Sequence, residues 1–102
     1  TKALAYIDAH YHEELTIAKV AEVVLLSPSY FSHIFNRLRG ESFSDHLNKV
    51  RVAKAKELLA SNLYKVYEVS SMVGYNDYKY FSSVFKKITG LTPTEYLLLL
   101  RE

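Results

Sequence analysis

Residues 30–47 read YFSHIFNRLRGESFSDHL, and residues 80–97 read YFSSVFKKITGLTPTEYL. Shifted by 50 positions, the two segments align without a gap. Six of the 18 positions are identical: Tyr30/Tyr80, Phe31/Phe81, Ser32/Ser82, Phe35/Phe85, Gly40/Gly90 and Leu47/Leu97. Six more are near-equivalent, among them Ile34/Val84, Arg37/Lys87 and Asp45/Glu95. Chance rarely produces this over so short a window, so the chain carries one unit twice. Upstream of residue 27 the match blurs, where the second copy has one extra residue in its turn.

Working outward from the repeat, helical spacing dominates between three glycines and two prolines. The pattern predicts an all-α fold of seven helices. The first covers about 2–12, with Leu4, Ile7 and Tyr11 on one face. Thr16 caps a short second helix over about 17–24, with Leu15 and Val20 as a hydrophobic staple. Ser27 caps and Pro28 opens a third helix that stops at Gly40. A fourth, about 43–60, would be a rigid strut roughly 27 Å long. The fifth covers about 65–73, the sixth follows Asn76-Asp77 and stops at Gly90, and the seventh runs from Thr92-Pro93 to the end. Residues 1–102 thus read as a single domain. It holds one helix-turn-helix unit over 1–41, a linker helix over 42–61 and a second unit over 62–102.

A short helix, a tight turn and a longer helix can place the longer one in the DNA major groove. Such a helix needs an anchored apolar face and an outer face of short polar groups. At 100° per residue, Phe31, Ile34, Phe35 and Leu38 share one stripe of the third helix. Ser29, Ser32, His33 and Asn36 lie opposite, with Arg37 and Arg39 at the margins. In the sixth helix Phe81, Val84, Phe85 and Ile88 form the apolar stripe. Lys79, Ser82, Ser83 and Lys86 face away, with Tyr78 and Lys87 beside them. Neither outer face carries an acid. Ser29, Ser32, His33, Asn36, Tyr78, Lys79, Ser82 and Ser83 are therefore the expected base readers, and Arg37, Lys86 and Lys87 expected phosphate contacts. Ser42/Ser44 and Thr92/Thr94, at equivalent helix starts, and Thr16 are placed with the phosphate contacts, although simple N-capping explains each equally well. Two units on a strut would read two groove segments one helical turn, about 34 Å, apart.

Charge distribution agrees. The net charge is only +2, but residues 27–56 hold six bases (Arg37, Arg39, Lys49, Arg51, Lys54, Lys56) against Glu41 and Asp45. Residues 1–22 are acidic on balance. Mid-helix Arg51 reads as a structural ion-pairing residue, and Lys54 and Lys56 as solvated. The chain has no cysteine, hence no disulfide, thiolate metal site or thiol nucleophile. No apolar run approaches the roughly 18 residues that span a membrane, and no membrane partner is expected.

The stretch SPSYFSHIFNRLRGESFSDHLNKVRVAKAKELLAS, followed by VGYNDYKYFSSVFKKITGLTPTEYL, resembles the DNA-binding domain of AraC/XylS-type regulators, from about Leu4 to Leu97. The second-unit pattern G-Y-N-D, Y-F-S, V-F-K-K, T-G, T-P-x-E-Y is specific, and the flavour is most similar to members fused to a response-regulator receiver. The resemblance implies a bacterial, cytoplasmic activator whose partners are double-stranded promoter DNA and RNA polymerase. It places the base-reading face on Ser29, Ser32 and His33, and on Tyr78, Lys79, Ser82 and Ser83. Relatives often carry arginine at the positions of His33 and Ser83, which implies weaker or different base readout here.

An enzyme is disfavoured. His10 and His12 are expected to diverge, Glu13 and Glu14 to point into solvent, and no phosphate loop, zinc pattern or cofactor motif occurs. The alternative with more support is a helical protein–protein module, which nine tyrosines and the leucine-rich end would suit. Leu98, Leu99 and Leu100 are expected to pack on the core. The isolated domain is expected to be monomeric, and the full-length regulator can dimerise.

Overall fold

Hydroxyls and carboxylates that turn back on the chain decide where the helices begin. Thr16, Ser27, Ser42 and Thr92 each accept a hydrogen bond from the amide three residues on, at 3.1–3.2 Å. Asp77 accepts one from the Lys79 amide at 2.9 Å. Each satisfies one of the amides that a helix start leaves without an intrahelical partner. In the computed structural model, which describes residues 1–101, the resulting helices are α1 (Lys2–His10), α2 (Ile17–Val23), α3 (Pro28–Arg39), α4 (Phe43–Ala60), α5 (Val66–Met72), α6 (Tyr78–Thr89) and α7 (Pro93–Leu100). No strand occurs among the described residues. Glu102, which the expected seventh helix and second unit included, lies outside them.

The chain forms two compact units, Thr1–Val50 and Arg51 onward, divided within α4. In the first, α1 packs on α2 and α2 on α3. Ile7, Leu15, Val20, Ala21, Phe31, Phe35, Phe43 and Leu47 make its core. Leu15 and Val20, the expected staple, are both buried. Phe31, Phe35 and Phe43 form a mutual aromatic cluster with centroids 5.7–6.2 Å apart. In the second unit α5 packs on α6 and α6 on α7. Val52, Leu59, Val69, Val73, Phe81 and Phe85 are buried there. The repeat also extends to a packing detail. His46 meets Phe35 edge-on at 5.4 Å, and Tyr96, fifty positions later, meets Phe85 edge-on at 5.6 Å.

Three expectations are corrected. Leu38 and Ile88 lie on the predicted apolar stripes but are 74% and 39% exposed. Their angle on the helix is right, but they sit in the last turn, beyond the cover of the neighbouring helices. Leu98, Leu99 and Leu100 are exposed rather than packed on the core, because they fall on three successive directions around a short helix. The first helix stops at His10, two residues early.

The turn between the two helices of each motif has the same hydrogen-bond pattern in both units. In unit 1 the Leu26 amide donates to the Ala21 carbonyl and the Leu25 amide to Glu22. In unit 2 the Tyr75 amide donates to Ser70 and the Gly74 amide to Ser71. The pivot is left-handed in both, with φ +60 at Leu25 and +110 at Gly74. Glycine adopts this region freely, whereas a leucine there is strained by its Cβ. A Cβ at Gly74 would also come within 3.0 Å of the Arg51 guanidinium. The Leu25 side chain is 88% exposed, so removing it sacrifices almost no burial. Leu25→Gly is accordingly expected to stabilise the chain by about 0.5–1 kcal/mol in urea unfolding, and Gly74→Ala to destabilise it by about 1–3 kcal/mol.

Candidate nucleic-acid interface

Burial of Phe31 and Phe35 fixes how α3 is rotated about its axis, and therefore which residues it shows to solvent. Ser29, His33, Asn36, Arg37 and Arg39 are exposed, and Ser32 is half-buried. In α6 the buried stripe is Phe81, Val84 and Phe85. Tyr78, Lys79, Ser83, Lys86 and Lys87 are exposed and Ser82 half-buried. Every base-reading position expected from the sequence thus lies on an accessible face of its helix. Tyr78 leans on its own core, its ring 6.3 Å from that of Phe81.

Neither helix contributes an acid to its outer face. Asp77, just before α6, spends its carboxylate on the Lys79 amide. Arg37 and Arg39 fall in the last turn of α3, and Lys86 and Lys87 in the last turn of α6. Cations there also complement the helix dipole, so their placement serves the helix as well as any anionic ligand.

The expected phosphate contacts at helix starts divide into two groups. Thr16, Ser42 and Thr92 are capping residues whose oxygen accepts from a backbone amide, which leaves the hydroxyl hydrogen available to a further acceptor. Thr92 is locked further by Glu95, whose carboxylate accepts the Thr92 amide at 2.8 Å. That bond, with the Thr92 hydroxyl close by, holds the Glu95 carboxyl below its ordinary range. Ser44 and Thr94 do not cap and are exposed one residue into α4 and α7.

Two side-chain readings change. Arg51 is structural, as expected, but through an aromatic residue. Its guanidinium carbon lies 5.1 Å from the centroid of the Tyr75 ring, and burial lowers its pKa. Tyr75 is buried in turn, and its phenol is pushed up to about 12, so it stays neutral at any physiological pH. His10 and His12 do not diverge. α1 ends at His10, so helical spacing no longer governs His12, and both rings approach the Glu13 carboxylate, at 2.6 and 3.8 Å. His10 above all holds the Glu13 carboxyl below its ordinary range. Among the described residues no group of three or more acidic, histidine or cysteine side chains is arranged to hold a metal. No helix there is long and apolar enough to cross a membrane.

On α3 and α6, two exposed aromatic residues had no role assigned from the sequence. Tyr30 and Tyr80 sit in the first turn of α3 and α6 and are 53% and 52% exposed. Their identity in the repeat was the available signal.

Comparison with known proteins fits this arrangement. A family profile described as a helix-turn-helix domain matches residues 20–98. The chain is similar to the C-terminal domain of AraT, a response regulator from Geobacillus stearothermophilus, with 39% identity and a TM-score of 0.89 over 95% of this chain and 81% of that one. It is similar to the DNA-binding domain of AdpA, a global transcriptional factor solved in complex with a target DNA, at 26% identity and a TM-score of 0.90, over 97% of this chain and 89% of that one. The arabinose operon regulatory protein of Escherichia coli K12 is 40% identical over 96 residues, covering 93% of this chain and 33% of that protein. The chain belongs to the AraC-type helix-turn-helix family. It spans about a third of the length of the curated relatives it matches, from 31% to 39%.

One ion-pair cluster joins the residue two after α3 to α4. The Glu41 carboxylate, 17% exposed, receives Lys49 Nζ at 2.8 Å and faces His46 Nδ1 at 3.1 Å. Lys49 first, then His46, hold the Glu41 carboxyl below its ordinary value of 4.5. A depressed carboxylate stabilises the fold above that value, and the contribution is lost as pH falls through the folded-state pKa. Glu41→Gln should therefore reduce the difference in unfolding free energy between neutral pH and about pH 3 by at most about 1 kcal/mol, since one partner is exposed.

Proposed function

We propose that this chain is the DNA-binding part of a bacterial transcription regulator, reading double-stranded promoter DNA with α3 and α6 in successive major-groove segments. One observation carries the reading. Two helices at equivalent repeat positions each bury a phenylalanine pair and turn outward an acid-free face of short polar groups rimmed by cations. In unit 1 the readers are Ser29, Ser32, His33 and Asn36. In unit 2 they are Tyr78, Lys79, Ser82 and Ser83. Arg37, Lys86 and Lys87 engage phosphates beside each groove, and Thr16, Ser42, Ser44, Thr92 and Thr94 donate hydroxyls to the backbone. The two helix-turn-helix segments fall within 1–41 and 62–102 and are joined by residues 42–61, whose two halves pack into one unit each, and the domain binds as a monomer a bipartite, non-palindromic site. Within a longer cytoplasmic regulator it activates transcription through RNA polymerase.

Lys79 and His33 differ chemically, and this predicts unequal half-sites. Lysine favours guanine O6 and N7, whereas the serine-rich remainder of both faces discriminates more weakly. The test is selection from a random duplex pool at two salt concentrations, followed by titration. Two short motifs about one helical turn apart are expected, with affinity falling steeply with salt. Lys79→Ala should relax only the unit 2 motif, with a loss of about 1–3 kcal/mol at the base it reads. His33→Ala should relax only the other. Salt-insensitive association, or none, would instead support a protein-binding module, for which the exposed leucines Leu98, Leu99 and Leu100 would then be the candidate contacts.

A further inference from the structure

Tyr30 and Tyr80 are the third residues of α3 and α6. Each is followed seven positions later by an exposed base, Arg37 and Lys87. Positions seven apart differ by about 20° around a helix and lie about 10.5 Å apart along it. Tyrosine and base therefore line one edge of the stripe formed by the base readers. The edge of a helix seated in a groove faces the sugar–phosphate backbone, where tyrosine hydroxyls are among the usual donors.

The two tyrosines are not equally held. The Tyr80 ring meets Tyr75 edge-on, with centroids 5.8 Å apart. Tyr75 is only 5% exposed and lies under the Arg51 guanidinium, which also donates a hydrogen bond to its phenol. A stack of three side chains thus runs from the interior of unit 2 to the outer face of α6. At the corresponding turn position unit 1 has Leu26, an aliphatic residue. A side chain already confined loses less rotamer freedom on binding.

We propose that Tyr80 donates its phenolic O–H to a DNA phosphate at the edge of the groove entered by α6, and that Tyr75 and Arg51 are positioning residues that hold its ring there. Tyr30 is the unbraced and weaker counterpart in unit 1. This inference rests on the DNA-binding reading above.

The test uses the selected duplex and measures affinity across a salt series. Tyr80→Phe removes only the hydroxyl of a half-exposed residue and should leave the urea midpoint nearly unchanged. It is expected to weaken binding about 5–10-fold. The salt slope should not change, because a neutral donor releases no counterion, whereas Lys87→Ala should reduce the slope by about one. Tyr30→Phe should weaken binding only about 2-fold. Arg51→Lys, or Tyr75→Leu, which installs the residue type unit 1 carries, should weaken binding of the wild type but add nothing to Tyr80→Phe. A purely structural role would add equally in both backgrounds. Unaltered affinity in Tyr80→Phe, or brace variants that act independently of Tyr80, would overturn the proposal while leaving DNA binding intact. Failure of the unaltered chain to bind any duplex would overturn the DNA-binding reading itself.

Discussion

Two phenylalanines one helical turn apart hold each outward-facing helix to its own unit, Phe31 and Phe35 in α3 and Phe81 and Phe85 in α6. A single buried side chain would leave a helix free to roll. A pair at i and i+4 fixes both its rotation and its tilt against the neighbouring helix. Everything on the opposite face follows from that constraint, including which serines, lysines and tyrosines reach solvent. Losing one such ring costs about 3–5 kcal/mol, against a total of roughly 5–15 kcal/mol for a domain of this size. The anchor is thus indispensable to stability and invisible from the outer face.

Much of this was legible in the sequence because it is encoded locally. Thr16, Ser27, Asp77 and Thr92 announce helix starts through chemistry confined to four residues, and the seven helices fall close to where those signals put them. The buried stripes follow from periodicity alone. What was not legible depends on where an element ends and what covers it. Leu38 and Ile88 have the right phase but lie past the cover. His12 leaves helical geometry because α1 stops two residues early. Arg51 finds Tyr75, 24 positions away, a contact no local pattern encodes. For the outer faces the sequence identified candidate side chains, and the structure places them at exposed or half-buried positions. It could not show that Tyr80 is braced from within its unit.

The two units reach one geometry with different chemistry. The motif turn is left-handed at glycine in one and at an exposed leucine in the other. Near the start of the following helix, Glu41, His46 and Lys49 in unit 1 correspond to Leu91, Tyr96 and Leu99 in unit 2. The edge-on contact onto the second phenylalanine survives this change, made by an imidazole in one copy and a phenol in the other. The turn hydrogen bonds and the edge-on contact are kept, while charge is distributed differently around them.

Several positions on the acid-free faces of α3 and α6, His33, Asn36, Lys79 and Ser83 among them, are exposed and lie outside the cores beneath them. Substitutions at exposed positions away from caps and buried networks typically shift stability by no more than about 0.5 kcal/mol. His33, Asn36, Lys79 and Ser83 are therefore free to vary without endangering the fold. A duplicated unit built in this way separates the residues that make it persist from those it shows to solvent. On the proposed DNA-binding reading, new target sequences would become reachable by single surface changes, one unit at a time, with each intermediate remaining a folded protein.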